Sequence, residues 1–303
     1  MANSPIVTSL PAYVEERRLP LVAKAVLGAR SAQMFNLQTD VKEKSAINRL
    51  ATDIKFGDGK ACGWEEDGSA TLTQRYIEPQ YFKVNMGFCE KNLLGTWAGY
   101  QVKMAATDKE MPFEENFTED IVKNINAEIE RIIWQGDKAT AAAAGKVEFD
   151  GMLKILADAS APSVTFTAGE SAYSKIKKVY EAIPAAIVNK EDTVIFVGED
   201  DYRAFIQDIV AANLYHYNPE SEELSYKLPG ASVRVVAVSG LNGTHKMVAG
   251  QLSNMYYGCD MANDQEVFDF WYSKDNREFR FAAEFVAGVQ VAFPDEVVLG
   301  KEA

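Results

Sequence analysis

The feature that most constrains the fold is a long apolar stripe in residues 121–137, IVKNINAEIERIIWQGD. Its isoleucine and valine residues recur at steps of three and four, which is the spacing of one face of an α-helix. The pattern predicts a helix over 113–135, about 34 Å long at 1.5 Å per residue, which ends where Gly136 takes a left-handed conformation. No side chain on this helix suggests chemistry, so we interpret it as a structural rod.

A second constraint is that residues 45–90 have the pattern of β-strands but too few apolar residues to form a core of their own. Residues 46–56 and 71–76 are expected to pair, and 82–88 alternates apolar and polar residues like a half-buried strand. We interpret 45–90 as a long two-stranded hairpin with a flexible, glycine-rich tip that contains Lys60 and Trp64. An isolated ribbon is marginally stable in water, so this hairpin needs a second surface to lie on, such as that of another chain.

The first 44 residues have the character of an arm rather than a domain. Three early prolines interrupt the arm, and residues 21–35 then predict one helix with an apolar face. Because one apolar stripe cannot bury itself, we expect the arm to lie on the main body or on a neighbouring molecule.

The rest of the chain predicts a compact α/β unit followed by strands, which makes the fold class α+β. Residues 170–187 have helical spacing, 193–198 form a continuous apolar strand, and Glu199 or Asp200 is expected to cap the next helix. Further strands are expected at 232–238, 247–252, 267–272 and 279–293.

Composition limits the partners. The chain of 303 residues carries a formal net charge of −13, and so acidic a surface repels nucleic-acid backbones on average. The basic residues between Arg17 and Arg49 are interrupted by carboxylates, which favours a solvated or partner-facing arm over a nucleic-acid site. Three cysteines without close spacing indicate no disulfide framework, and we predict neither a signal peptide nor a membrane span.

Patterns that carry catalysis or metal binding are weak. The two histidines, His216 and His245, lie outside any metal-ligand spacing. A phosphate-loop match around Lys60 fails because other residues occupy the required glycine and hydroxyl positions. The acidic turn at 199–201 suits a catalytic acid, but a helix cap explains it equally well, and we favour the cap. We therefore predict no enzyme activity, no cofactor and no metal site.

The order of these segments and their residue patterns resemble those of the major capsid proteins of tailed bacteriophages. That shell fold is shared with encapsulins and the floor domain of herpesvirus capsids. The resemblance covers about residues 17–298. It rests on the helix above, similar to the family's spine helix with its Gly-Asp end, and on the hairpin before it. Three later stretches complete it: AYSKIKKVYEAIPAAIVNKEDTVIFVGEDDYRAFIQDIV, MVAGQLSNMYYGCDMANDQEVFDFWYS and FRFAAEFVAGVQVAFPDEVV.

The resemblance implies a division of the chain into five parts. These are an N-terminal arm (1–44), an extended loop formed by the β-hairpin (45–90), a peripheral domain with the spine helix 113–135 (91–160), an axial domain (161–244) and closing strands that return to the peripheral domain (245–303). Arm and hairpin would lie on neighbouring subunits. Lys60 and Trp64 are then candidates for contacts between subunits.

The resemblance also implies a function, which is self-assembly through hexamers and pentamers into an icosahedral head that encloses double-stranded DNA. The implied partners are portal, scaffold or decoration proteins, and the implied location is the virion capsid, assembled in the cytoplasm of the bacterial host. Many members of the family begin with a long helical scaffolding segment that is cleaved. Here the arm starts almost at once, which implies either a separate scaffold or a chain that is already mature. No acceptor is identifiable for a cross-link from Lys60. The alternatives are an encapsulin-like shell and an α/β enzyme that uses residues 199–201.

Overall fold

The structure is a computed structural model that describes residues 14–15, 17–56, 68–89, 113–212, 224–260, 267–276 and 278–302. Its helices are α1 (Arg18–Leu27), α2 (Arg30–Met34), α3 (Phe113–Gln135), α4 (Lys138–Ala143), α5 (Met152–Asp158), α6 (Ala172–Ala182) and α7 (Glu199–Ala211). Its strands are β1 (Asn36–Gln38), β2 (Ser45–Ile54), β3 (Gly68–Ile77), β4 (Gln80–Cys89), β5 (Ser163–Phe166), β6 (Thr193–Gly198), β7 (Ser225–Lys227), β8 (Arg234–Val238), β9 (Met247–Gln251), β10 (Met255–Cys259), β11 (Val267–Ser273), β12 (Glu278–Val291) and β13 (Val298–Glu302).

Three sheets form among the described residues. The first has the strand order β1-β10-β12-β11, and β4 also pairs with β12. The second has the order β5-β13-β9-β6-β8-β7 and mixes parallel with antiparallel pairs. Strands β2 and β3 form a separate two-stranded ribbon. Together with the helices, these sheets confirm the α+β class, and β8, β9, β11 and β12 lie where the sequence predicts strands.

Helix α3 has the bounds that its apolar period predicts. Its apolar face packs against α1, α2, α5 and a 3₁₀ turn at Ser239–Leu241. Fully burying an aliphatic side chain contributes about 1.5–3 kcal/mol, so this face is what holds the helix in place. The buried side chains are Ile121, Val122, Ile125, Ile129, Ile132, Ile133 and Trp134.

The end of α3 differs from the expectation, because Gly136 does not have a positive φ. A Cβ atom at Gly136 would lie 2.3 Å from the carbonyl oxygen of Phe149 and 2.6 Å from that of Ile132. The N–H of Gly151 donates to the carbonyl oxygen of Gly136 at 2.8 Å. Glycine is required here because two backbones touch. The next helix, α4, begins at once, since the Asp137 carboxylate accepts two of its first N–H groups.

The single helix predicted at 21–35 is two helices that separate at Gly28. A Cβ atom at Gly28 would lie 2.2 Å from the Asn126 side chain, so α1 approaches α3 too closely for any larger residue. Leu21, Val26 and Phe35 are buried in the same core as the apolar face of α3. The described part of the arm therefore lies on its own chain, which corrects the expectation that it lies on a neighbour.

A buried carboxylate joins the arm to α3. Glu130 is 2% exposed and accepts hydrogen bonds from the Ser31 N–H at 2.9 Å and the Ser31 hydroxyl at 2.5 Å. Trp134 Nε1 donates to Ser31 Oγ at 2.7 Å and to Glu130 at 3.3 Å. Burial raises the pKa of Glu130, although these hydrogen bonds oppose the shift. Glu130 is thus a polar side chain of the helix with a structural role that the sequence pattern does not reveal.

Glu130 is expected to make the folded chain more stable on acidification. Because its pKa in the folded chain is raised above its ordinary value of 4.5, protonation favours the folded state. This contribution appears as the pH falls through the folded pKa and is complete below the ordinary one. In urea unfolding of the unassembled chain, the free energy of unfolding relative to Glu130→Gln should therefore rise as the pH falls from neutral toward 4.5, the ordinary pKa of the group.

The neighbouring Glu128 provides a matched control for this pH effect. Its hydrogen bond with Arg131 lowers the pKa of Glu128, so its contribution is present at neutral pH and is lost only on acidification below its ordinary value. The free energy of unfolding of the wild type relative to Glu128→Gln should stay constant over the pH interval in which the value relative to Glu130→Gln rises. If the free energy of unfolding relative to Glu130→Gln does not change with pH, the raised pKa of Glu130 is contradicted.

Strand β4 is the strand predicted at 82–88, but its partner differs from the expectation. It pairs antiparallel with β12, from Gln80 opposite Ala287 to Cys89 opposite Glu278. Its apolar residues pack against the main core, which buries a face that a free ribbon would leave in water. The ribbon therefore ends at Ile77 instead of continuing to residue 90. The five-part division of the chain stays a prediction.

The α/β unit is centred on β6, whose six residues are all buried. Val194 and Phe196 face the main core, while Ile195 and Val197 face a second core beneath α6 and α7. Burial on both faces explains why this strand is continuously apolar. Helix α6 ends at Ala182, before Pro184, and is shorter than the predicted 170–187.

Helix α7 begins without the predicted side-chain cap. Gly198 occupies the N-cap position and no side chain caps it, so the cap predicted for Glu199 or Asp200 is wrong. The three acidic residues lie in the first turn instead, where negative charge is favoured by the helix dipole. Among the helices that the structure describes, none is both long and apolar enough to cross a membrane.

Candidate protein–protein contact surface

The part of the surface that most needs a partner is the β2–β3 ribbon. The two strands pair from Ser45 opposite Ile77 to Ile54 opposite Gly68, over a length of about 33 Å. Neither strand pairs with a third strand in the described chain. Since a two-stranded ribbon is marginally stable alone, its stability depends on what its two faces contact.

One face of the ribbon is anchored to the body by apolar contacts at its base. Ile47 and Ile77 are buried in a small core with Val41. Ile77 sits over the cross-strand pair Gly258 and Gly288, where Cβ atoms would come within 3.1 and 3.2 Å of its side chain. These two glycines therefore make the space that receives the ribbon.

On the same face, polar contacts also join the ribbon to the body. Arg49 donates to Asp295 at 2.8 Å, and Arg75 donates to Gln290 at 3.2 Å. Burial, followed by the positive charge of Arg49, lowers the pKa of Arg75. Gln290 also donates to the carbonyl oxygen of Tyr76 at 2.6 Å. The base of the ribbon thus has a defined orientation on the body.

The opposite face is exposed and carries apolar side chains on both sides of the polar cross-strand pair Asn48 and Gln74. Leu50 and Leu72 lie directly opposite each other and are 62% and 66% exposed. Ile54 and Tyr76 lie four residues along their strands on the same face, and are 74% and 38% exposed. We call Leu50, Ile54, Leu72 and Tyr76 the outer row. Phe56, just beyond β2, is 99% exposed, so the apolar character continues past the end of the strand.

The predicted contact residues, Lys60 and Trp64, lie outside the described residues, and their role stays a prediction. Sequence reasoning missed the outer row, because apolar and polar residues alternate poorly over residues 46–56. Alternation shows that two faces differ, but it does not show which of them the body covers. The anchored base supplies that information.

The acidic turn at 199–201 has a different arrangement from the predicted cap. Asp200 accepts the N–H of Asp201 and the N–H of Gly243, each at 2.9 Å. Burial opposes the shift, but these backbone hydrogen bonds lower the pKa of Asp200. A carboxylate held ionised in this way suits a hydrogen-bond acceptor better than a proton donor. Its role in the described geometry is to hold the loop that carries Gly243.

Comparisons with known proteins find similarity in structure only. No protein-family model matches the chain, and no curated protein matches its sequence. The satellite phage P4 procapsid including size determination (Sid) protein matches with a TM-score of 0.63 and 12% identity, over 100% of this chain and 93% of that chain. Gordonia phage Cozz matches with a TM-score of 0.58 and 12% identity, over 90% of this chain and 86% of that chain.

A virus-like particle from Pyrococcus furiosus also matches, with a TM-score of 0.55 and 8% identity, over 94% of this chain and 98% of that chain. At identities this low, the comparisons establish the fold alone. Because the similarity spans nearly the full length of each pair of chains, it concerns the whole fold rather than one part of it. The fold predicted from the order of the sequence segments is therefore confirmed.

Proposed function

We propose that this chain, whose fold is that of phage capsid shells, is the major capsid protein of a tailed bacteriophage. Many copies would assemble into an icosahedral head that encloses double-stranded DNA. The observation that carries the proposal is the outer row on the ribbon. A solitary protein gains nothing from a ribbon that holds Leu50, Ile54 and Leu72 in water, whereas a subunit of a closed shell covers such a face with a neighbouring copy.

The energetics of the ribbon suit an assembly of many copies. Full burial of one aliphatic side chain contributes about 1.5–3 kcal/mol, and the cost of association offsets much of the sum over the row, so a single outer row makes only a modest contact. In a closed shell every subunit gives one such contact and receives another, and the contacts reinforce each other. Since the described part of the arm lies on its own chain, the exposed outer row makes the ribbon the described element that we propose reaches a neighbour.

The charge of the chain supports an enclosing role toward DNA. A formal net charge of −13 makes the average surface repel the phosphate backbone, so DNA can be held inside a shell without adhering to its wall. No sequence-specific contact with DNA is part of the proposal. Portal, scaffold or decoration proteins are the further expected partners, the head is expected to assemble in the cytoplasm of the bacterial host, and no catalytic step is proposed.

A second candidate is an encapsulin-like shell with a protein cargo. The observation that favours it is the match to the virus-like particle from Pyrococcus furiosus, which covers 98% of that chain. Both candidates use the ribbon in the same way. They differ in what the particle contains, which makes the contents the discriminating measurement.

The test is electron microscopy of the purified full chain, expressed alone and together with its genomic neighbours. We expect closed shells of uniform diameter, and nucleic acid inside particles purified from infected or induced cells. Particles that contain protein cargo and no DNA would favour the second candidate. A small oligomer under all assembly conditions, together with a turnover that Asp200→Ala abolishes, would contradict both and support an α/β enzyme.

A further inference from the structure

Three side chains that are suitable metal ligands meet at the start of α7, away from the ribbon. Asp200 and Asp201 lie in the first turn of α7, and His245 lies in the loop before β9. His245 Nδ1 is 3.1 Å from Asp201 Oδ1, across 44 residues of sequence. One ligand atom from each of the three residues lies within 4.8 Å of the other two.

Asp201 has an unsatisfied oxygen in this cluster. Its side chain is only 9% exposed, and its Oδ2 atom has no hydrogen-bond partner among the described residues. Leaving a buried polar atom without a partner costs about 1–3 kcal/mol, and more for a charged group. A cation bound to this carboxylate would compensate the charge that Oδ2 leaves without a partner.

Asp200 and the loop are held in position around the same point. The N–H of Gly243 donates to Asp200 Oδ2, and the N–H of Asp201 donates to Asp200 Oδ1. Each carboxylate oxygen keeps a further lone pair for another partner. The His245 side chain is 50% exposed, so an ion can enter from solvent.

We propose that Asp200, Asp201 and His245 bind one divalent first-row transition-metal ion of the Zn²⁺ type. Imidazole nitrogen combined with carboxylate oxygen favours Zn²⁺ over Mg²⁺ or Ca²⁺, which prefer oxygen alone. Two ligand atoms at about 2.0–2.1 Å from a tetrahedral ion are about 3.3 Å apart, close to the 3.1 Å between His245 and Asp201. The ion takes the place of the proton between these atoms, and its positive charge compensates the Asp201 carboxylate to which the unpartnered Oδ2 belongs.

The proposed ion connects α7 to the loop before β9 within one chain, and it does not depend on the proposed assembly. Three protein ligands leave a tetrahedral position for water. Sequence spacing conceals the site, because the two aspartates are adjacent and the histidine is remote. A failure of particle assembly and a failure of metal binding are therefore separate outcomes.

The test is isothermal titration of the metal-stripped, unassembled full chain with Zn²⁺. We expect one saturable site per chain in the wild type. His245→Ala and Asp201→Asn should each weaken that site at least about tenfold. His216→Ala is the matched control, because it removes the other histidine of the chain, and it should leave the affinity unchanged.

A second readout keeps the test independent of folding defects. Circular dichroism should show that each variant is folded, and the visible absorption of bound Co²⁺ should report a site with a nitrogen ligand in the wild type and lose that signature in His245→Gln. A wild type without a saturable site would overturn the proposal. So would a site that His245→Ala or Asp201→Asn leaves intact, or one that His216→Ala weakens equally.

Discussion

The double variant Leu50→Lys/Leu72→Glu is expected to abolish particle formation while leaving the subunit folded. The two residues face each other across β2 and β3, so lysine opposite glutamate forms a favourable cross-strand pair that preserves the ribbon. The net charge of the chain does not change. In a contact with a neighbour, however, the variant loses the burial of two leucines at about 1.5–3 kcal/mol each and must remove two charges from water.

A control for this variant places the same charges on other exposed aliphatic residues. Val147 and Val210 are 52% and 60% exposed, close to the exposure of the two leucines, and neither lies on the ribbon. Val147→Lys/Val210→Glu should assemble like the wild type.

Sedimentation velocity and electron microscopy measure assembly, and thermal unfolding of the unassembled chain measures stability. Both double variants should stay within about 1 kcal/mol of the wild type in stability. Normal shells from the leucine double variant would remove the ribbon from the proposed mechanism. Loss of shells in both double variants would show that the effect is not specific to the outer row.

Replacing Trp134 with alanine should lower the free energy of unfolding by about 3–5 kcal/mol, the largest loss expected from one core residue. Trp134 is 0% exposed, and its ring centroid lies 5.9 Å from that of Phe35 and 4.9 Å from that of Phe196. It therefore joins the arm, α3 and the second sheet. The variant leaves a cavity between all three and removes a donor from Ser31.

Two further substitutions separate the contributions of the Trp134 ring and its N–H group. Trp134→Phe keeps most of the ring but loses the hydrogen bond, and should cost about 1–3 kcal/mol. Trp271→Ala removes a tryptophan that is 42% exposed and should cost clearly less than Trp134→Ala. Urea unfolding followed by circular dichroism avoids the loss of tryptophan fluorescence. If Trp134→Ala and Trp271→Ala lower the free energy of unfolding equally, Trp134 does not have the proposed role of joining the arm, α3 and the second sheet.

Long periodic segments were predictable from the sequence. Helix α3 has its predicted bounds because apolar residues recur at steps of three and four along its 23 residues with no competing pattern. Strand β6 was equally clear, since a continuous apolar run flanked by polar residues indicates a strand buried on both faces. The arm helix was predicted too long because periodicity does not reveal a close approach such as that of Gly28 to Asn126.

The short strands were not predictable. Strands β1 and β7 have three residues each and β5 has four, which is too few for alternation to stand out. The partner of β4 was also missed, because the period of a strand shows which residues share a face and does not show which strand lies beside it. Glu130 gave no signal either, since a glutamate in an amphipathic helix has the same local pattern whether it is solvated or buried.

The sequence by itself determined the helix α3, the buried strand β6, the order of segments that identifies the shell fold, and the need of the ribbon for a second surface. Only the tertiary structure decided that the described arm lies on its own chain, that Leu50 and Leu72 face outward, and that Asp201 meets His245. The physical reason is the separation of the contacting residues along the sequence. Local periodicity encodes which residues share a face, whereas contacts across 44 or 99 residues depend on how the packed elements bring those faces together.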